Sequence, residues 1–506
     1  MNRIFLIFTG LTLYATSLTA QQQQTDPFRQ VLTLEDAIQL AKEQSLDALI
    51  ATHRFRSSYY SFMDHRATFL PRLSLETRPT TWEHSIRTIL SVDDHGNVRT
   101  REARENSFRS TAGLDLRQNI GFTGGTISLG SEFSRHHDFL RDDPDIATQF
   151  TTIPIRLTIS QPLNGYNPFR WSREIEPLRF EEAKLSYITQ MERIAERAVR
   201  VFFDLAIAQV ELNLAETSLK NNQDLYNLQT GRFQQGLIAE DALLTVELQY
   251  MQAELSLNRA RIDLESNMNR LRTFLGFREG VEIELVISSE VPRFQVDPEE
   301  ALNLALTQNP NVIAWQRQLL MAQRDVALAR SQTGITMRFD LSYGMNKTAF
   351  SFSDVYSPQF SDRYGVGLQI NVPILDWGQQ RNRNRRVQSD LEIVETQIQQ
   401  EEMDFRQDVY LRVMSFNMAE NQLRIATLAD TIAQRAYDIA FQRYLLGRGD
   451  ITTLNIAEER KERARRDYMN ALQRYWDLYY MMRRLTLFDF SNNRPLEADF
   501  DSIVWD

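Results

Sequence analysis

Ile370-Asn371-Val372-Pro373-Ile374 is a strand-like run closed by proline, and it repeats the pattern of Ile159-Ser160-Gln161-Pro162-Leu163 at a distance of 211 residues. Arg443-Tyr444-Leu445-Leu446-Gly447 stands the same 211 residues beyond Arg232-Phe233-Gln234-Gln235-Gly236. One offset shared over more than 70 residues marks an internal duplication. A third pair opens the halves: Glu35-Asp36-Ala37-Ile38-Gln39-Leu40-Ala41 and Glu299-Glu300-Ala301-Leu302-Asn303-Leu304-Ala305, offset by 264. The first half therefore carries 53 additional residues between its opening helix and Pro162.

Each half reads helix, strands, long helix, tight turn, helix. The first opening helix is expected over Leu34–His65, with Glu35 and Asp36 in the first turn, where the helix dipole favours acids. The second starts at Pro298, a residue suited to the first helical position. Long helices are expected over 174–230 and 379–445, with return helices over 241–274 and 453–485. Leu205, Ala208, Leu212, Ala215 and Leu219 step by 3 and 4; so do Leu411, Met414 and Met418, then Ile425, Leu428 and Ile432. That spacing predicts a coiled-coil seam along a rod of roughly 90 Å.

The intervening segments have a period of two. Met337, Phe339, Leu341 and Tyr343 alternate with Thr336, Arg338, Asp340 and Ser342, and Val366, Leu368, Ile370 and Val372 continue the pattern. This alternation fits a membrane β-barrel or a soluble antiparallel sheet equally well. In the additional segment, Leu114 and Leu116 face Ile127 and Leu129 across Gly121-Phe122-Thr123-Gly124-Gly125, predicting a hairpin. About 28 residues join a first strand at 72–78 to that hairpin, and about 13 join the hairpin to a strand at 151–163.

Composition narrows the function. The 506 residues hold 57 basic and 67 acidic side chains, for a net charge of −10, which disfavours nucleic-acid binding. A mean hydropathy of −0.41 excludes a polytopic helical membrane protein. With no cysteine, thiol catalysis, disulfides and Cys-ligated zinc are excluded, and so is lipid anchoring through a terminal cysteine. Residues 1–20 read as a secretory signal peptide: Met1-Asn2-Arg3, an apolar run, and a cut after Ala20. No metal site, cofactor site or catalytic constellation is evident, so an enzyme is not expected. His136-His137 points to opposite faces of a strand. Asp142-Asp143-Pro144-Asp145 lacks calcium-loop spacing. Arg448-Gly449-Asp450 is expected in a buried turn.

Leu32-Thr33-Leu34-Glu35-Asp36-Ala37-Ile38, its counterpart at 297–306 with Gln308-Asn309-Pro310, and Leu368-Gln369-Ile370-Asn371-Val372-Pro373-Ile374-Leu375-Asp376-Trp377-Gly378 followed by Arg381, Arg383, Arg385 and Arg386 resemble the TolC-like outer membrane efflux proteins. Gly236 and Gly447 in the helix–helix turns add to the resemblance. It implies a mostly α protein with membrane β: a homotrimer whose strands close one barrel, continued by a coiled-coil periplasmic tunnel. The family's four strands per protomer give twelve, and the inserted hairpin, about 81–150, either raises this to eighteen or folds as a flap. The implied organisation is a first half at 21–277, a linker at the tunnel equator at 278–298, a second half at 299–486 and a tail at 487–506.

The implied function is passive conduction in the outer membrane of a Gram-negative bacterium, with a periplasmic adaptor and an inner-membrane RND, ABC or MFS pump as partners. The gate and adaptor contacts are then expected at Gly236, Glu240 and Asp241 on one turn and Gly447, Arg448, Asp450, Thr452 and Asn455 on the other. Pro162, Pro373, Trp377 and Gly378 are expected at the barrel-to-helix junctions. Glu240, Asp241 and Asp450 equally fit simple helix caps. Arg381–Arg386 fits a solvated helix face or a contact with lipid phosphates. A soluble periplasmic coiled-coil adaptor is the alternative function.

Overall fold

The computed structural model describes residues 29–92, 98–141, 143–163, 165–278, 280–288, 290–446 and 448–505. The expected signal peptide and Gly447 lie outside them. The described residues form two compact units, 29–40 with 201–288 and 41–200 with 290–505.

The duplication appears in the helices residue for residue. Helices α1 (Leu34–Gln44) and α2 (Leu46–Ala67) match α6 (Pro298–Gln308) and α7 (Pro310–Ser331), with 11 and 22 residues in each copy. The opening helix is thus two helices, not one through His65. The break falls at Ser45, whose side chain caps α2 by accepting from Ala48 N–H, and Asn309 caps α7 in the same way through Asn311 N–H. Helix α4 (Pro168–Gln234) and α8 (Gln379–Leu445) have 67 residues each, and α5 (Glu240–Leu275) and α9 (Ile451–Thr486) have 36 each. At 1.5 Å per residue α8 is about 100 Å long.

In the first unit, β1 (Arg29–Thr33) pairs in parallel with β6 (Glu282–Val286). These strands were not foreseen: five residues are too few for an alternation to stand out. Phe202, Phe203, Leu205, Leu271 and Leu275 are fully buried, and Tyr226 stacks on Tyr250 at 5.9 Å.

The second unit carries one six-stranded antiparallel sheet in the order β2-β3-β4-β5-β7-β8: β2 (Arg72–Val92), β3 (Val98–Ile120), β4 (Gly125–Asp138), β5 (Thr148–Pro162), β7 (Thr336–Ala349) and β8 (Ser361–Asn371). Short helix α3 (Pro144–Ala147) precedes β5. The expected 28-residue connection after Arg78 is a correction: it is mostly strand. Pro79 and Thr80 form a bulge that interrupts the alternation, and β2 then continues paired with β3 to Val92. The insertion thus adds two strands to the sheet. Beyond the Ser107–Asp138 pair and the bond from Phe139 N–H to Asn106 O, residues 84–92 and 98–106 pair, among the described residues, with each other as a two-stranded ribbon.

Helix α8 has two apolar stripes. Val409, Val413, Phe416 and Ala419 are buried, with Phe416 on Tyr475 of α9 at 5.6 Å. The expected seam residues Leu411, Met414, Met418, Ile425, Leu428 and Ile432 form the other stripe, 42–58% exposed. No described helix is long and apolar enough to cross a membrane.

The tail folds back onto the helices. Hairpin strands β9 (Phe488–Asp489) and β10 (Arg494–Pro495) lead to α10 (Phe500–Trp505), whose Phe500 packs on Phe55 of α2 at 5.1 Å. Buried Glu192 accepts from Lys42 (2.6 Å) and Arg483 (2.9 Å), and Arg483 also holds Asp489 at 2.8 Å. Burial alone would raise the Asp489 carboxyl, but hydrogen bonds from Ser491 and Asn492 and the Arg483 charge outweigh it and hold it well below the usual carboxylate range. The resulting stability is present above the unfolded value of about 3.9 and is lost only as pH falls through the lower folded value, so the tail stays docked at pH 5. Asp489→Asn should weaken the docking by about 1–3 kcal/mol. Faster proteolysis at 487–505 in mild urea, relative to the parent, checks it.

Candidate functional site

Pairing register decides what the sheet can do. Leu73, Leu116, Leu129, Leu157, Tyr343 and Tyr364 are successive cross-strand partners, so one row over all six strands is apolar. Gln118, Ile127, Ile159, Leu341 and Val366 form the next row on the same face. The opposite face reads Arg117, Ser128, Thr158, Ser342 and Gly365. The apolar face is open: Leu73, Leu75, Tyr364, Val366, Leu368 and Ile370 are each more than half exposed. Toward the end remote from the helices, Phe133 stacks with Phe150 (6.1 Å) and Tyr356 (6.4 Å), an aromatic group of the kind that borders a lipid-facing band.

The polar face balances its charge. Arg117 meets Asp115 at 3.4 Å, Arg156 meets Glu132 at 3.4 Å, and Ser160 donates to Asp340 at 2.7 Å. Asp115, Gly130, Arg156, Gly344 and Arg363 are successive partners.

The junction residues sit where the sequence places them. Pro162 ends β5 opposite Arg338. Pro373 follows β8, and Gly378, at φ 82°, caps α8. Trp377 takes φ 53° and is 88% exposed, beside Ile374 at 95% and Leu375 at 70%. A bulky residue with positive φ is uncommon and points to a role. Asp376, which sequence reasoning passed over, sets this corner by accepting from Gly378 N–H (2.9 Å) and Gln380 N–H (3.1 Å). Asn167 was also passed over: it caps α4 and donates to Gly121 O and Phe122 O, tying the β3–β4 turn to the helix. The arginines at 381, 383, 385 and 386 are exposed.

Of the expected gate residues, Gly236 has φ 73° and open space around it, and the turn closes through Leu237 N–H to Arg232 O (2.9 Å). The same closure recurs 211 residues later, with Arg448 N–H bonding Arg443 O at 2.9 Å. Glu240 and Asp241 are exposed in the first turn of α5. Asp450 caps α9 by accepting from Thr452 N–H. Thr452 is exposed and Asn455 half-buried. Arg448, Gly449 and Asp450 are all exposed, which corrects the expected buried turn. Farther along this hairpin lie two contacts that no motif announces: Arg465 with Asp430 at 3.0 Å, and buried Lys461 over the Tyr437 ring at 3.7 Å.

Comparisons with known proteins agree with this geometry. The model of the family described as outer membrane efflux protein matches residues 127–277 and 301–478. The alkaline protease secretion protein AprF of Pseudomonas aeruginosa is 20% identical over 249 residues, 47% of this chain and 49% of AprF, so the match spans about half of that relative. Among solved structures, the Campylobacter jejuni CmeC outer membrane channel aligns over 93% of this chain and 88% of its own, with TM-score 0.65 and 14% identity. The outer membrane protein VceC of Vibrio cholerae aligns over 92% and 97%, with TM-score 0.62 and 14% identity. Identities this low speak to the fold alone.

Gly236→Ala should destabilise the end of α4 by about 1 kcal/mol through its positive φ, since no neighbour obstructs the added methyl. Faster amide exchange over 231–241, with the sheet unchanged, checks this.

Proposed function

Because the chain belongs to the outer membrane efflux protein family, we propose that it is a passive exit duct, in which three copies close one barrel of eighteen strands in the outer membrane and their helices enclose a periplasmic tunnel. The observation that carries this reading is the six-stranded sheet with an open apolar face, a charge-balanced polar face and two end strands, β2 and β8, without outer partners among the described residues. In lipid such edges leave backbone groups unpaired, and closure with further copies removes the cost. The exposed second stripe of α8 is a seam that other copies would cover. The adaptor alternative fails on the same apolar face, which a soluble sheet would bury.

The reaction is transport without chemistry. An inner-membrane pump and a periplasmic adaptor supply energy and substrate, and the duct carries either small molecules or, as the likeness to a secretion protein suggests, polypeptide. Gating belongs to the two helix–helix turns. There Glu240, Asp241 and Asp450 place acids that bias the entrance toward cations, in addition to capping the following helices.

Single-particle imaging in mild detergent tests the assembly. Threefold particles with eighteen barrel strands are expected, and monomers without a detergent belt would overturn the reading. Asp450→Ser separates charge from cap, because serine still accepts at the helix start. Combined with Glu240→Gln and Asp241→Asn, it should lower cation selectivity in planar bilayers while the helix content stays constant. Unchanged reversal potentials would remove the gate assignment.

A further inference from the structure

The two offsets carry information about a joint that one chain does not contain. An offset of 211 carries β5 and the start of α4 onto β8 and the start of α8. An offset of 264 carries α7 and the start of β7 back onto α2 and the start of β2. Within the chain, the halves are joined in the sheet where β5 meets β7: Ile159 opposite Leu341, Ser160 opposite Asp340, Gln161 opposite Phe339 and Pro162 opposite Arg338. Leu163 N–H continues this ladder to Met337 O at 3.0 Å. Applied to each residue of that joint, the two offsets name its equivalents on β8 and β2, the two unpaired edges.

We propose that the copy-to-copy joint repeats the joint between the halves, with β8 of one copy antiparallel to β2 of the next and Ile370 opposite Thr77, Asn371 opposite Glu76, Val372 opposite Leu75, Pro373 opposite Ser74 and Ile374 opposite Leu73.

Three observations support this register, and it rests on the barrel reading above. First, it keeps the faces consistent. Ile370, Val372 and Ile374 meet Thr77, Leu75 and Leu73 on the apolar side, while Asn371 meets Glu76 on the polar side; a slip of one residue would put leucines in the lumen. Second, it covers what is bare. Ile159, Gln161, Met337 and Phe339 are half-buried inside the chain, whereas their equivalents Ile370, Val372, Leu73 and Leu75 are 52–68% exposed. The offsets likewise carry Tyr166 onto Trp377, 88% exposed, and Arg324 onto Tyr60, 58% exposed, so both equivalents are bare in one copy. Third, the copied register has a defined end. Alternation from the Leu163–Met337 bond makes residue 79 the next outward donor after Thr77, and residue 79 is proline, which has no N–H. The register copied from the inner joint therefore covers 73–77 with 370–374, and the bulge at 79–80 resets the pairing beyond it.

The chain has no cysteine, so engineered pairs report without background. By the same alternation Asn371 and Glu76 occupy a non-hydrogen-bonded pair, with Cα atoms about 4.5 Å apart, close enough for a disulfide. The variant Glu76→Cys/Asn371→Cys, oxidised in native-like membranes, should give dimer and trimer bands on a denaturing gel that collapse with reductant. The frame-shifted variants Glu76→Cys/Gln369→Cys and Ser74→Cys/Asn371→Cys should stay monomeric on that gel. Cross-linking of a shifted pair in preference to the matched one would overturn the register while leaving the barrel intact. Absence of cross-links in every variant, with trimers still seen by light scattering, would also overturn it. Monomers by light scattering would overturn the barrel reading itself, and the register with it.

Discussion

A strand that ends a sheet cannot leave its outer N–H and C=O groups unpaired in hydrocarbon, and the molecule is organised around that constraint. The six strands of this chain satisfy each other on five joints and leave two edges, β2 and β8. Their apolar face suits lipid and their polar face suits water, so the sheet suits a membrane wall only once it is closed. The same incompleteness recurs in α8, where one stripe packs on the chain's own α9 and the other stays bare. Both deficits are ones that the proposed assembly of further copies would cover.

Much of this was legible because duplication writes the same physics twice. Pro162 and Pro373 end strands and Gly236 and Gly447 mark helix–helix turns at one fixed distance, and the repeated helices agree in length to the residue. What the sequence hid was extent and facing. Pro79 and Thr80 break the alternation of β2, so the pattern stops fourteen residues before the strand does. Helix α8 has two stripes at helical spacing, and periodicity cannot say which one faces its own chain. Asp450 shows a third limit. A carboxylate at a helix start satisfies a local hydrogen bond whatever its role in a channel mouth.

The halves have also diverged where the fold permits it. Helix α5 ends on Gly276 with φ 77°, and α9 ends at the equivalent place on Leu487 with φ 48°. Glycine adopts that conformation without strain, whereas leucine does so at a cost. Leu487 is 1% exposed and lies beside the Arg483–Asp489 pair that fastens the tail, so burial offsets the backbone strain. The second half thus exchanges a flexible stop for an anchored one, as its tail requires.

The order of the strands sets a timetable for folding. Strands β2 to β5 follow one another through short connections, and β7 with β8 forms a second local set. Within the six-stranded sheet, the β5–β7 joint is the distant one, closing a loop of about 170 residues that contains α4 to α7. Local hairpins close in microseconds, while a contact across such a loop must wait for the helices between to form and compact. Pulse-labelled exchange would therefore find β2–β5 protected before the β5–β7 joint. During that interval each half presents its own edge strands, so correct assembly depends on the tethered partner arriving before a strand from another chain does.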